Sequence, residues 1–426
     1  MGRTKGRRVI ALAGALFALS LAGALATLAV IVALGVKTLG LRDDRALQKL
    51  ERPGDLEHYP LVSVVVPVRN EERNVEPLLK SLLELDYPHY EVVLVDDAST
   101  DRTVELIDRL REGYDHIRLI DTRAVAVDDR SEFKSGKAWV LAQAAREAKG
   151  EWLLFVDADT RHRPDTLWRA MAFARRHDLP AFSGSGIYRN PGFWGEVFEA
   201  ALYIAVFFSI PLRRVHDPAD REVGWMNGQF ILLRRDAYEE IGGHGALRRC
   251  AQDDLAMGRL LKERGVRYRF LPGAGLYECV NYVGWREAHE GWARLIAAGT
   301  PWLGRGRPFM LGSLALLALI ALLPILTVPV AWLTGLGDHA AGVSLKTLSL
   351  IHLGLVLYLQ TASRAGMKLP VWRSIVFPVG ALLSMATMIT AYRIRFSGGS
   401  YLLRGRPLRP DDPREVFAEP AGEGRK

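Results

Sequence analysis

A short apolar run that ends in two acidic residues constrains the fold of this chain more than any other feature. Residues 152–156 (WLLFV) are apolar, and Asp157 and Asp159 follow at alternate positions. Such a run is typical of a strand that is buried on both faces of a sheet. Side chains at alternate positions of an extended segment point the same way, so both carboxylates could bind one divalent cation. The alternative is a polar turn whose Asp and Thr residues cap the next helix.

Two earlier stretches repeat the pattern of a buried strand that ends in polar residues. Residues 61–70 (LVSVVVPVRN) are largely β-branched, and residues 91–97 (EVVLVDD) end on two acids. Helical patterns are predicted at 71–85, 103–111 and 138–148, with a short strand at 117–120. Strands that alternate with helices in this way predict an α/β domain with a doubly wound, Rossmann-like sheet.

In a sheet of this kind, ligands bind beyond the carboxyl ends of the strands. The three acidic or polar strand ends are Asn70 with Glu71, Asp96 with Asp97, and Asp157 with Asp159. Neither GxGxxG nor GxxxxGK[ST] occurs, so the usual glycine loops that cradle phosphate are missing. A carboxylate can accept hydrogen bonds from a base or a ribose, and a divalent metal can join carboxylates to phosphate. The sequence therefore predicts a nucleotide whose diphosphate is bound through a metal.

Five motifs strengthen this interpretation because they follow one another in a single order. They are PVRNEERN at 67–74, VDDASTDRT at 95–103, SGKAWVL at 135–141, VDADT at 156–160 and QDDLAMGRLLKERG at 252–265. Together they resemble family-two glycosyltransferases of the GT-A fold over about residues 60–300. The resemblance implies an inverting enzyme whose catalytic domain spans residues 61–300 and whose donor is a UDP- or GDP-sugar.

The same resemblance assigns residues to the donor and to a metal. The donor-side candidates are Pro67, Asn70, Glu71, Asp96, Asp97, Lys137 and Asp157. Within this set, the resemblance implies that Asp97 and its neighbour Asp96 bind the nucleobase and that Glu71 lies on the ribose side. It also implies that Asp159, helped by Asp157, binds Mg²⁺ or Mn²⁺ on the diphosphate.

A second acidic pair supplies the candidate base. Asp253 and Asp254 begin a predicted helix whose leucines pack inward and fix the two acids at its N-terminus. Inversion at an anomeric carbon requires a base for the acceptor hydroxyl, and a neighbouring acid could raise the pKa of that base. We assign the base to Asp254, with Asp253 beside it. The alternative is a pair of acids that only complements the helix dipole.

Residues between the metal acids and the C-terminal segments concern the acceptor. The stretch 224–245 resembles the acceptor-side segment of lipid-directed family members, which implies that Gly228 and Gln229 line the acceptor pocket. Processive polysaccharide synthases of the family carry QxxRW, whereas AHEGWAR at 288–294 keeps only Trp292. Trp292 either covers the donor sugar or packs at the interface, and His244 is either functional or structural. A lipid or lipophilic acceptor is therefore favoured, as in the enzymes that this segment resembles, which glycosylate carotenoids or hopanoid-like terpenes. A processive polysaccharide synthase is the alternative. A non-catalytic membrane scaffold is a third hypothesis.

Apolar segments at both ends predict a membrane protein. Residues 1–36 predict an uncleaved transmembrane helix, because the apolar run continues past a signal-like site at Ala24 to Ala26. Residues 37–60 form a charged linker, and residues 301–395 hold three apolar segments that are transmembrane or re-entrant. Residues 193–212 predict either a helix at the membrane interface or a core helix. The tail, 396–426, is basic and expected to be partly disordered.

Charge and chemistry predict which side of the membrane holds the catalytic domain. The formal net charge of +8, with arginines near the apolar segments, suits a membrane surface better than nucleic acid. Because nucleotide sugars are cytosolic, we expect a multi-pass protein of the inner or plasma membrane with a cytoplasmic catalytic domain. Three full C-terminal crossings would place the arginine-rich tail outside, against the positive-inside rule. One C-terminal segment is therefore expected to be re-entrant or interfacial.

Overall fold

The middle of the chain folds around a mixed seven-stranded sheet. The computed structural model describes residues 2–39, 59–125, 129–189, 192–271, 275–280, 282–304, 306–334, 344–366, 369–398, 401–403, 406–411 and 413–416, except positions 196, 199–201, 203–205 and 207–208. Most of the predicted 37–60 linker lies outside these residues, as do Tyr203, Phe207 and Phe208 of the predicted interfacial helix.

The strands of the central domain fall into two sheets. In chain order they are β1 (Val62–Val68), β2 (Tyr90–Asp96), β3 (Ile117–Asp121), β4 (Trp152–Phe155), β5 (Thr160–His162), β6 (Ala181–Gly184), β7 (Ile187–Tyr188), β8 (Ile231–Arg234), β9 (Tyr268–Leu271) and β10 (Tyr277–Cys279). The large sheet has the order β3-β2-β1-β4-β8-β6-β9, and β5, β10 and β7 form the small one.

Helices cover both faces of the large sheet. Those of the domain are α2 (Val75–Leu83), α3 (Thr103–Arg111), α4 (Gly136–Glu147), α5 (Thr166–Arg176), α6 (Leu212–His216), α7 (Arg235–Glu240), α8 (Asp253–Glu263) and α9 (Trp285–Trp302), after the N-terminal α1 (Gly2–Leu39). Every residue of β1 is buried. Val64 and Val66 share a core cluster with side chains of α2 and α5, whereas Val65 belongs to a second cluster with side chains of α4 and α8. The predicted α/β class is thus confirmed, and the β-branched run reflects burial on both faces.

One strand runs against the others and brings a distant segment to the active edge. β1, β2 and β4 are parallel, so the residues that follow them lie at one edge of the sheet. β8 is antiparallel to β4, with Phe155 opposite Ile231. The residues that precede β8 therefore reach the edge at which β4 ends. This placement makes the sheet mixed rather than fully parallel.

Four helices in the described part of the chain are long and apolar enough to cross a membrane. They occupy Val9–Lys37, Arg307–Thr334, Leu345–Gly366 and Val371–Phe396. The second comprises α10 (Arg307–Leu317), a π-helical turn (Ala318–Leu322) and α11 (Leu323–Thr334), and the others contain α1, α12 (Leu345–Gly366) and α13 (Phe377–Phe396). Apolar helices at both ends were predicted, and their existence is confirmed by length and composition.

All four helices contribute to one apolar cluster beside the domain. α1 packs along α12, where Gly23 lies against His352, and Ala26 and Val30 join the cluster that contains Val356. At the C-terminal end of α1, Lys37 Nζ donates a hydrogen bond to the carbonyl oxygen of Ile210 at 2.7 Å. The domain therefore lies at the end of α1 that follows the apolar run.

The fourth helix, α13, runs beside the domain and beside α10. Ala391 shares a cluster with Met310, whereas Ala381 shares one with Ile320, so α13 and α10 are antiparallel. Its other side packs against α9, where His289 contacts Thr387 through a 2.8 Å hydrogen bond. The C-terminal end of α13 thus lies near the start of α10, at the level of the domain.

The tail beyond α13 contains ordered elements. It forms a hairpin of β11 (Tyr401–Leu403) and β12 (Arg406–Leu408), followed by the short helix α14 (Pro413–Val416). Asp411, between the hairpin and α14, is buried. Partial disorder was expected here, and residues 417–426 lie outside the described part of the chain.

Candidate active site

A polar cleft of about 260 Å³ opens at the edge where β1, β2 and β4 end, and we call it the rim cleft. Its lining comprises Pro67, Arg69, Glu71, Asp97, Lys134, Ser135, Gly136, Lys137, Val140, Asp157, Ala158, Asp159, Ala251, Gln252, Asp253, Asp254, Arg294 and Leu295. Most of the donor, metal and base candidates from the sequence are therefore together. The exceptions, Asn70 and Asp96, are not part of this lining.

Asn70 and Asp96 shape the two loops at the strand ends. Asn70 has a positive φ of 53°, and its Oδ1 accepts a hydrogen bond from the backbone N–H of Thr100 at 2.8 Å. The Asp96 side chain is fully buried and accepts from the backbone N–H of Ser99 at 3.1 and 3.2 Å. Both side chains are thus engaged by the protein, and their contacts hold the loops that carry Glu71 and Asp97.

Asp97 is held by two arginines. Arg69 Nη1 lies 3.2 Å from Asp97 Oδ2, and the guanidinium of Arg130 contacts Oδ1. Arg130 also lies over the ring of Trp139, 5.0 Å from its centroid. The sequence motifs singled out neither arginine. A nucleobase bound at Asp97 would share this carboxylate with the two arginines, which fix the orientation of the carboxylate.

Lys137 joins the donor-side helix α4 to the acidic strand end. Its Nζ lies 2.6 Å from Oδ1 of Asp157. Burial opposes the charge of Lys137, but the carboxylates of Asp157, Asp253 and Asp254 together raise its pKa above the usual value. The lysine therefore stays charged and sits between the candidate metal acids and the candidate base.

Asp159 has a buried carboxylate oxygen at this edge. This oxygen, Oδ1, has no hydrogen-bond partner within the described residues. Burial, then the negative charges of Asp157 and Glu71, raise its pKa to about 7. Such a carboxylate is stabilised as an anion when a cation arrives. Across the described part of the chain, no group of three or more His, Cys, Asp and Glu side chains could hold a metal by itself.

Asp254 is fixed by two backbone amides at the start of α8. The N–H of Leu255 donates to Oδ1 at 2.8 Å, and the N–H of Gly228 donates to Oδ2 at 3.1 Å. Burial and the adjacent charge of Asp253 raise the pKa of Asp254 to about 6, although Lys137 and the two amides lower it. The environment thus gives this carboxylate a pKa that suits a base near neutral pH.

An apolar chamber of about 80 Å³ adjoins the rim cleft and shares Asp254 with it. Its lining comprises Ser185, Tyr188, Val206, Ile210, Trp225, Met226, Asn227, Gln252, Asp254, Leu255, Phe270, Trp292, Leu295 and Gly299. Asp254, Gln252 and Leu295 line both spaces. The carboxylate of Asp254 therefore lines both a polar cleft and a chamber with aromatic and aliphatic walls.

The candidates for the acceptor side occupy different surroundings. Trp292 is buried and lines the chamber, with its ring 6.0 Å from that of Tyr188. Gly228 lies beside Asp254, as described. Gln229 lines neither space, since it is buried with Nε2 2.8 Å from Sγ of Cys279. His244 is buried against the hydroxyl of Tyr238 at 2.9 Å, which is a structural contact.

The described residues of the predicted interfacial helix, 193–212, differ in their exposure. Phe193 and Trp194 are exposed, whereas Phe198 and Leu202 are buried in a cluster with Trp292. Phe198 and Trp285 make an edge-to-face contact with centroids 5.4 Å apart. The segment therefore combines an exposed aromatic beginning with a buried face against α9.

Several lining residues could not be recognised from the motifs. Arg69 follows β1 inside a recognised motif but is not acidic, and Arg294 lies on α9, far along the chain. Lys134 precedes the recognised SGK stretch, and Trp225 precedes Gly228. The only sequence signal for Arg69 was that its cationic side chain lies next to an acidic strand end. Arg294 ends the segment AHEGWAR at 288–294, in which only Trp292 was singled out.

Comparisons with known proteins agree with the motifs. Residues 63–242 match the family model described as Glycosyl transferase family 2. The beta-monoglucosyldiacylglycerol synthase of Nostoc sp. (strain PCC 7120 / SAG 25.82 / UTEX 2576) is 29% identical over 227 residues, which cover 52% of this chain and 45% of that protein. Poly(ribitol-phosphate) beta-N-acetylglucosaminyltransferase TarS of Staphylococcus aureus (strain Mu50 / ATCC 700699) is 34% identical over 117 residues, or 27% of this chain and 19% of that protein. The chain thus spans less than half the length of these two relatives.

Among solved structures, the mannosyltransferase PcManGT from Pyrobaculum calidifontis, in complex with GDP-Man and Mn²⁺, aligns with 89% of this chain and 98% of its own at 20% identity and a TM-score of 0.49. The family model covers β1 to α7, the part of the chain that carries the donor and metal candidates. Residues 63–242 therefore match the family that the order of the motifs predicted.

Proposed function

We propose that this protein is a membrane-bound, inverting glycosyltransferase that transfers a sugar from a UDP- or GDP-sugar to a lipid or lipophilic acceptor. The observation that carries the proposal is the position of Asp254 in the lining of both the rim cleft and the apolar chamber. A polar donor in the cleft and an apolar acceptor in the chamber would both reach this carboxylate. The match of residues 63–242 to family two supports the reaction class.

The nucleotide sugar occupies the rim cleft in this proposal. Asp97 accepts hydrogen bonds from the nucleobase, and Glu71 lies on the ribose side. Lys137 and Arg294 line the same cleft and offer positive charge to the diphosphate. Cations placed where negative charge develops stabilise a leaving diphosphate without reorganisation.

A divalent cation fits beside Asp159, because the buried Oδ1 of that residue has no other hydrogen-bond partner in the described chain. Asp159 and Asp157 would hold Mg²⁺ or Mn²⁺, both of which prefer oxygen ligands. Since the described residues offer no larger cluster, the other ligands would be phosphate oxygens and water. Once bound, the ion supplies charge neutralisation for the diphosphate.

Asp254 acts as the general base. Its carboxylate accepts the proton of the acceptor hydroxyl as the oxygen attacks the anomeric carbon, while the bond from that carbon to the diphosphate breaks on the opposite face. The amides of Gly228 and Leu255 keep the carboxylate oriented throughout. General-base catalysis contributes about 10²–10⁴-fold to rate, so this role is essential to turnover.

A lipophilic acceptor suits the chamber. Trp225, Phe270 and Trp292 contribute aromatic surface to its wall, and Val206 and Ile210 belong to the segment predicted to lie at the membrane. Apolar surface buried in such a space stabilises binding by about 25 cal/mol per Å². The relative from Nostoc, named a beta-monoglucosyldiacylglycerol synthase, supports an acceptor of this class.

The membrane arrangement follows from which ends meet the domain. The end of α1, the start of α10 and the end of α13 all lie near the catalytic domain. Asp411 of the tail also contacts the domain. We therefore place α13 as the re-entrant or interfacial segment, with the tail and the domain on the cytoplasmic face. This arrangement satisfies the positive-inside rule for the tail but not for the N-terminal MGRTKGRR.

Transfer can be tested with the purified full chain in vesicles that contain membrane lipid extract. Radiolabelled UDP- and GDP-sugars are supplied with Mn²⁺ or Mg²⁺, and products are separated into lipid, polymer and free sugar. We expect label in the lipid fraction, with the anomeric configuration inverted. Label in a polymer would instead support the processive synthase, and no metal-dependent nucleotide-sugar binding would support the scaffold hypothesis.

A further inference from the structure

The C-terminal tail returns to the rim cleft and places one carboxylate between two of its loops. Asp411 lies beyond the last apolar helix, yet its side chain is fully buried within the catalytic domain. Oδ1 lies 2.6 Å from Nζ of Lys134. Oδ2 accepts hydrogen bonds from the backbone N–H groups of Ala251 at 2.7 Å and Gln252 at 3.1 Å. Each oxygen is thus matched to a donor.

These partners make the contact specific. A buried carboxylate is strongly unfavourable unless it is paired and hydrogen-bonded, and charge-assisted bonds of this length are among the strong ones. Ala251 and Gln252 directly precede α8, which begins with Asp253 and Asp254. Gln252 provides no side-chain cap for that helix. Asp411 therefore supplies, from the tail, an anion at the helix N-terminus that bears the candidate base.

The other partner belongs to the donor side. Lys134 precedes the residues that begin α4, including Lys137. Its backbone N–H donates to the carbonyl oxygen of Arg248 at 2.6 Å, so the two loops already meet there. Asp411 adds a second connection between them. One side chain thus joins the loop that carries Lys137 to the loop that carries Asp254.

We infer that Asp411 is a positioning residue, which sets the loop of the base against the donor-side loop and makes the tail part of the active site. The inference rests on the proposed function in that Asp254 is taken as the base. Asp411 touches no reacting atom and acts through the orientation of Asp254. A displacement of about 1 Å in such a group is enough to lower turnover by about 10²-fold.

The variant Asp411→Ala removes both connections, and Lys134→Met removes only the charge partner. Asp178→Asn is the matched control, because Asp178 is an exposed carboxylate, also paired with a cation, in the turn between α5 and β6. All variants are made in the full chain in detergent or vesicles. Hydrogen–deuterium exchange at Ala251 and Gln252 is measured with Tm, nucleotide Kd and kcat.

We expect Asp411→Ala to raise exchange at these two amides at least tenfold and to lower kcat about tenfold to a hundredfold. Nucleotide Kd should change by less than threefold and Tm should stay close to that of the control. Lys134→Met should lower kcat less, because the two amide contacts persist. Unchanged exchange at Ala251 and Gln252 would overturn the inference, as would losses of Tm, nucleotide binding and kcat that run in parallel. If the unaltered chain transfers no sugar, the proposed function fails, while the exchange measurement still decides whether Asp411 holds the loop.

Discussion

The backbone N–H of Gly228 donates to Oδ2 of Asp254 at 3.1 Å, although the two residues come from different segments of the chain. The contact exists because β8 runs antiparallel to β4, which brings the residues before β8 to the active edge. A methyl group at position 228 would lie 3.2 Å from Nζ of Lys137 and 3.4 Å from Oδ2 of Asp254. Glycine is therefore needed here for close approach.

The variant Gly228→Ala tests that requirement. The added methyl must displace Lys137 or Asp254 by a few tenths of an ångström, which weakens the alignment of the base. We expect kcat to fall about tenfold while Tm changes little, because the methyl group meets side-chain atoms and no backbone atom. Gly245→Ala is the control, since a methyl there meets nothing within 4 Å. Equal kcat values for the two variants would contradict this reading of the contact.

Metal binding and base catalysis should separate in two variants. Asp159→Ala removes the carboxylate with the unpartnered oxygen, so metal-dependent nucleotide binding and activity should both be lost. Asp254→Asn keeps the shape of the side chain but cannot accept the proton, so kcat should fall by about 10²–10⁴-fold with nucleotide Kd nearly unchanged. Titration of each variant with nucleotide and Mn²⁺ checks this. Weak binding by Asp254→Asn together with normal binding by Asp159→Ala would reverse the assigned roles.

The pH dependence of kcat should report Asp254. The base must be ionised, and burial with the Asp253 charge raises its pKa to about 6. Activity should therefore decline as the pH falls below about 6, rather than below about 4 as for an ordinary aspartate. Asp253→Asn removes a charge that raises this pKa, so the acidic limb should move to lower pH. Profiles at saturating donor and metal provide the measurement, and an identical limb in Asp253→Asn would refute the coupling.

The apolar chamber can be filled from α9 without touching the rim cleft. Gly299 lines the chamber, and a methyl at this position lies 3.7 Å from the ring of Trp225, which is ordinary contact. Gly299→Ala should therefore be tolerated, whereas Gly299→Leu should occupy the space proposed for the acceptor. We expect Gly299→Leu to raise KM for a long-chain lipid at least tenfold and to leave slow donor hydrolysis within twofold. A parallel loss of both activities would mark the chamber as ordinary core.

The strands and their acidic ends could be predicted because their cause is local. A strand buried on both faces requires a continuous apolar run, and 61–70, 91–97 and 152–156 each show one. Parallel neighbours then bring their carboxyl ends to one edge, so Glu71, Asp97 and Asp159 could be expected together. The two acids at the start of α8 follow from its helical pattern in the same way.

Contacts that join distant segments left no such pattern. Gln229 has the composition of a pocket residue, yet the adjoining β10 buries it against Cys279. Asp96 and Asp97 are neighbours of the same type, but the first serves its own loop while the second faces the cleft. Strand alternation sends their side chains to different surroundings, and the loop that follows decides which one meets the ligand.

The sequence by itself determined the α/β class of the central domain and its resemblance to family two, the edge of the sheet at which the acids gather, and the presence of apolar helices at both ends. Each of these depends on short-range periodicity or on motif order. Only the tertiary structure decided that Asp254 lines both a polar cleft and an apolar chamber and that Asp411 returns from the tail to hold its loop. Those facts depend on the antiparallel entry of β8, on the packing of α9 and α13 and on a carboxylate that finds its partners far along the chain, and none of these leaves a local pattern.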